Sequence, residues 1–99
     1  MRLRRAALRS RIAYPRTKDQ SMAVCANVLA ERHDCLQTTR LWDVLLCCRR
    51  MDKTTVHRVL AHAGVIDMYR LIGQLTDRQI DVICLVLRSP SILRSGRAA

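Results

Sequence analysis

Phenylalanine is missing from this sequence, and Tyr14, Trp42 and Tyr69 are its only aromatic residues. A core must therefore be assembled from Leu, Val, Ile, Met and Cys, which suits thin helices better than a sheet. No alternating apolar–polar stretch of useful length argues for strands. No apolar run reaches the roughly 18 residues of a membrane-spanning helix. The first twenty residues hold no apolar run of about seven, so a secretory signal is not indicated. Internal repeats and low-complexity tracts are absent. There is no CxxC pair, and the five cysteines (Cys25, Cys35, Cys47, Cys48 and Cys84) are odd in number. That argues against a secreted disulfide framework and for reduced thiols in a cytoplasmic protein.

Acidic residues are also missing from the start of the chain: none precedes Asp19. The formal charge of +10 is accordingly uneven. Residues 1–20 carry Arg2, Arg4, Arg5, Arg9, Arg11, Arg16 and Lys18, a net of +6, and residues 21–99 a net of +4. The stretch 1–20 reads as a basic disordered arm. Two other readings fit it: an Arg-rich mitochondrial presequence, or an arm that binds nucleic-acid phosphates by releasing counterions. A start at Met22 is a variant of the disordered reading.

Ninety-nine residues make one domain. Residues 21–93 read as a single helical domain and 94–99 as a flexible tail. Apolar periodicity and cap signals predict about five short helices, a small all-α bundle. Ser21 is placed to cap the first, through about Asp34. Thr38 or Thr39 would cap the second, with Leu41, Val44, Leu45 and Cys48 on one face and Arg49 and Arg50 in its last turn. Asp52 is a good N-cap for the third, Lys53 to Ala63, and Gly64 a natural terminator. Val65, Met68, Leu71 and Ile72 suggest a short fourth helix before Gly73. Thr76 with Gln79 forms a capping box for the fifth, Asp77 to about Arg88, with Ile80, Ile83, Cys84 and Leu87 inward. Pro90 ends it, and Ile92 and Leu93 are available to pack.

Sites for chemistry are poorly supported. His57 and His62 are five apart and do not share a helix face, so no zinc ligand spacing emerges from them with His33 and Cys35. Cys47 and Cys48 beside His57 lack an orienting group and read as packing thiols. Asp77 and Asp81 have no cleft around them. No enzyme, metal or cofactor is expected. The positive signal is nucleic acid. The segments Lys53–Ala63 and Ile66–Ile72, joined by a Gly-containing turn, are compatible with helix-turn-helix geometry. Arg49, Arg50, Lys53 and Arg58 would lie near one end of that unit as DNA-binding residues. The competing reading is a solvated helical face.

Residues 41–97 resemble the flagellar transcriptional regulator FlhD family. The hydrophobic helix followed by a basic residue and an acidic–basic pair is matched by Leu41, Leu45, Leu46, Arg49, Asp52 and Lys53. Arg58 falls in the next helix, followed by Gly64, Val65, Asp67 and Met68. Leu75, Thr76 and Gln79 match the family's L-[TS]-x-x-Q element, and SPSILRSGR its C-terminal segment. The chain departs from the pattern by two residues missing between Arg50 and Asp52 and about one helical turn inserted between Gln79 and Ser89. The family's subunit-linking cysteine would fall near Arg94, and the arm has no counterpart. The resemblance implies an all-helical homodimer that joins an FlhC-type partner, which carries the zinc, to activate flagellar and other promoters. The aliphatic stripes Leu41, Val44, Leu45, Cys48 and Ile80, Ile83, Leu87 are then expected as the dimer or partner interface. A second, local resemblance links Leu75–Leu87 (LTDRQIDVICLVL) to the first helix of LuxR-type DNA-binding domains. It implies a truncated DNA reader, because the recognition helix would lie beyond Ala99. A helical adaptor with no DNA role is the third reading. None of the three calls for a membrane.

Overall fold

The computed structural model describes residues 2–89 and 91–92. Five α-helices follow one another: α1 Arg2–Ala13, α2 Lys18–Ala30, α3 Leu41–Leu46, α4 Lys53–His62 and α5 Asp77–Arg88. Two 3-10 turns, Asp34–Leu36 and Ile72–Gln74, sit in the connections. Among the described residues there is no strand, only an isolated bridge between Arg40 and Leu71. None of the helices is long and apolar enough to cross a membrane.

The small all-α bundle expected from the sequence is what the chain forms. Its centre is the antiparallel pair α2 and α5, with α1 laid on α2 and α4 on α5. Arg32 just past α2 pairs with Asp77 at the start of α5 at 3.0 Å. Arg88 at the far end of α5 donates to Asn27 Oδ1 at 3.0 Å. Between them Val28, Leu29, Ile83 and Leu87 are fully withdrawn from water. Each such burial stabilises the fold by about 1.5–3 kcal/mol.

The local cap signals of α4 and α5 behave as read. Asp52 Oδ1 accepts from the Thr55 N–H at 2.7 Å. At the other end Gly64 has φ +71°, and Val65 N–H donates to Leu60 O at 2.9 Å. The left-handed residue and the long return bond close the last turn, and Val65 and Leu60 are both buried. At α5, Thr76 Oγ1 accepts from Gln79 N–H while Gln79 Oε1 accepts from Thr76 N–H.

Four expectations are corrected. First, residues 2–13 are a packed helix, not a disordered arm: Leu8 and Ile12, four apart, enter the core. Ala, Leu and Arg are strong helix formers, and one apolar pair at i, i+4 suffices to dock the face. Second, Ser21 does not cap α2. Thr17 does, accepting from Gln20 N–H, so α2 begins four residues earlier and Ser21 is fully buried inside it. Third, α3 stops at Leu46 and leaves Arg49 and Arg50 in the connection, where Arg50 adopts φ +58°. Its N-cap residue, Arg40, makes no side-chain capping bond, and Thr39 is instead buried with its hydroxyl donating to Cys35 O.

Fourth, residues 66–71 form no helix, and the expected helix-turn-helix is not built. Asp67 captures the chain in a turn: Tyr69 N–H donates to its Oδ1 at 2.9 Å and Arg70 N–H to its carbonyl at 3.1 Å. The backbone then runs back along residues 37–41. Leu41 N–H donates to Arg70 O, Ile72 N–H to Thr39 O, and Gly73 N–H to Gln37 O. A Cβ on Gly73 would stand 2.8 Å from that carbonyl, so the close approach requires glycine. Pro90, Leu93 and the tail 94–99 lie outside the described residues. Ile92 is half-buried against the core.

Arg11 of α1 forms a two-pronged pair with Glu31 at 2.8 and 2.9 Å. The guanidinium of Arg11, joined by His33 at 2.7 Å, holds the Glu31 carboxyl down at about 2. A carboxylate held lower in the folded than in the unfolded chain stabilises above its unfolded pKa and loses that contribution as pH falls. Stability is therefore expected to decline between about pH 4.5 and 2. Urea unfolding at stepped pH should show this decline diminished in Glu31→Gln; an identical pH profile in the variant would contradict it.

Candidate nucleic-acid interface

The four cations singled out from the sequence do not act alike in the fold. The Arg49 guanidinium donates to the carbonyls of Ala13, at 3.2 Å, and Pro15. Its backbone N–H donates to Ser21 Oγ at 2.9 Å, and Ser21 in turn donates to Ile12 O. Arg49 thus clasps the C-terminal end of α1, where exposed carbonyls and the helix dipole favour a cation. Arg50, Lys53 and Arg58 are exposed.

The Arg49 clasp has a consequence for charge. It ties the carbonyls of Ala13 and Pro15 to Arg49, so the segment bearing Arg16 and Lys18 and the segment bearing Arg50 and Lys53 are joined in the fold. The Asp52 carboxyl reports the same convergence. Its pKa is lowered first by its hydrogen bonds with Thr55, and further by the positive charges of Lys18 and Arg58. The acids in these segments are Asp19, next to Lys18 in the first turn of α2, and Asp52 at the cap of α4. Lys18 was not singled out from the sequence. Its signal was the Thr17 cap, which starts α2 at Lys18.

On α4 the exposed side carries Lys53, His57, Arg58 and His62. The half-buried Trp42 meets His57 edge-on, ring centroids 5.0 Å apart, which fixes one side of that face.

The proposed interface residues lie elsewhere than expected. Leu41, Val44, Leu45, Cys48, Ile80, Ile83 and Leu87 are all buried within the single chain, each 4% exposed or less. They are spent on its own core, because α3 and α5 turn these apolar stripes inward. Among the described residues, the large apolar side chains left exposed are Leu3, Tyr14, Ile66, Tyr69 and Leu85. Ile66 is 99% exposed, at the tip of the connection after α4.

The five cysteines are free thiols. The Cys25 thiol shares a hydrogen bond with the Cys48 thiol, and that contact and full burial push it well up. Burial also raises Cys84, which donates to Ala26 O at 3.4 Å. Such thiols stay protonated and act as packing groups. Among the described residues no group of three or more His, Cys, Asp or Glu side chains is arranged to hold a metal ion. The LuxR-like stretch 75–87 forms α5 with its capping box. Comparison with protein-family models, with curated proteins and with solved structures finds no match to this chain.

Proposed function

We propose that this chain is a DNA-binding regulatory subunit that holds duplex phosphates through Arg16, Lys18, Arg50, Lys53 and Arg58 and acts in transcription together with a partner protein. The observation that carries the reading is the approach of Lys18 and Arg58 to Asp52, from the 14–18 and 50–58 segments that the Arg49 clasp joins. A net charge of +10 adds long-range attraction for a polyanion. Base reading is assigned largely to the partner, because α4 is followed by an irregular segment and not by a second short helix. The resemblance of residues 41–97 to the FlhD family makes an FlhC-type protein the partner to test and flagellar operons the promoters. The exposed Ile66, Tyr69 and Leu85 favour a protein contact outside the core stripes, as either a partner or an adaptor reading requires.

Fluorescence anisotropy with a labelled duplex over about 50–200 mM salt tests the first step. Affinity is expected to fall with salt, with a logarithmic slope of about −0.9 per phosphate neutralised. Replacing Arg50, Lys53 and Arg58 together with Gln should flatten that slope by about 2–3. Absence of binding, or a slope untouched by the triple variant, would reject this face. Co-purification with an FlhC-type protein tests the second step, and a helical chain that binds neither leaves the adaptor reading.

A further inference from the structure

Along α1 lies an open hollow of about 440 Å³ lined by Arg5, Ala6, Arg9 and Ser10. We infer that this hollow is a phosphate-binding site, with Arg5 and Arg9 as its two arms. As a contact to nucleic acid it rests on the function proposed above; as a phosphate site it stands on the geometry of α1 itself.

Arg5 is already oriented. Its Nε donates to Cys35 O at 2.9 Å and one Nη to Thr38 Oγ1 at 2.9 Å. A guanidinium has five N–H donors, so three remain for a ligand, and little side-chain freedom is left to lose on binding. Arg9, four residues on, shares the helix face. It makes no hydrogen bond and no ion pair with the described residues. It stands close enough to the Cys47 thiol to act on it electrostatically. Ser10 adds a hydroxyl, and the short side chain of Ala6 leaves the floor open.

Competition from carboxylates is small. α1 carries no acidic residue. Of the acids on the elements it packs against, Glu31 is engaged by Arg11 and His33. Asp19 and Asp34 lie at the starts of α2 and the first 3-10 turn, and Asp43 acts on Cys47 from α3. Two guanidiniums with donors to spare match the bidentate recognition of phosphate oxygens. The hollow is within the size range of small-ligand sites, but it does not enclose its contents as such sites do. A phosphate that is part of a polymer, approached from outside, fits it better than a small molecule that must be engulfed.

The test is nuclear magnetic resonance of the full chain, following the arginine Nε–H groups and the Ser10 amide. The probes are inorganic phosphate, sodium chloride at matched ionic strength, and a short DNA duplex. Phosphate is expected to give saturable shifts confined to Arg5, Arg9 and Ser10. Arg9→Gln should weaken phosphate by about tenfold, while Arg58→Gln leaves it unchanged. Shifts spread over all exposed arginines, or reproduced by chloride, would overturn the site even if the duplex binds through Lys53. Phosphate binding at the hollow with no duplex contact there would sustain the site, assign it to a free phosphorylated ligand, and leave the DNA reading to fail separately.

Discussion

Leu45→Asp is expected to unfold the chain. Leu45 is completely buried, on a helix of only six residues. A carboxylate placed there must either ionise in an apolar core or stay protonated at neutral pH, and either costs several kcal/mol. The leucine's own packing is lost as well, about 2–5 kcal/mol by analogy with truncation to alanine. A domain of this size has only about 5–15 kcal/mol in total. Far-UV circular dichroism should show loss of helix at neutral pH, and size exclusion an expanded or aggregated chain. The alternative is clear-cut. If the variant stays helical and only changes from dimer to monomer, the stripe on α3 is an interface after all, and the single-chain core described above is wrong.

Ser21→Ala is expected to cost about 2–4 kcal/mol, far more than its small change in volume suggests. The hydroxyl joins three segments: it donates to Ile12 O at the end of α1 and accepts the Arg49 N–H, while itself fixed within α2. The residue is fully buried, so neither orphaned group finds water easily. The loss should appear first in α1. Hydrogen exchange is expected to show α1 amides losing protection before those of α2 and α5. Because Arg49 clasps the same end, Arg49→Gln should produce the same local release with a smaller loss of stability. A Ser21→Ala chain that unfolds at the wild-type urea midpoint with α1 protection intact would show that the bridge contributes nothing.

The caps of α4 and α5 were legible because each is closed by partners three residues apart, Asp52 with Thr55 and Thr76 with Gln79. The inward positions of α5 were legible because a 3.6-residue period exposes one stripe to the core. α1 was hidden by its charge: seven basic residues before Gln20 outweigh a two-residue apolar face. The missing fourth helix had the right period at Val65, Met68 and Leu71, but the Asp67 turn and the pairing with residues 37–41 supplied its backbone with better partners. Local periodicity could not register that competition.

The candidate site divides in the same way. Arg50, Lys53 and Arg58 were legible as cations beside a helix start. Arg49 looked equivalent, yet its guanidinium is engaged by carbonyls 34 and 36 residues earlier. Arg5 is engaged in the same manner, 30 and 33 residues away. By itself, the sequence determined an aliphatic, helix-rich chain with a strong positive charge and well-marked starts for its last helices, since each of these depends on composition or on neighbours within one turn. Tertiary structure alone decided that the first helix docks, that the stripes of α3 and α5 close on this chain's own core, and which arginines are structural and which are free to meet a ligand. Those outcomes depend on which distant carbonyls, hydroxyls and apolar faces come together, and such pairings exist only once the chain has closed on itself.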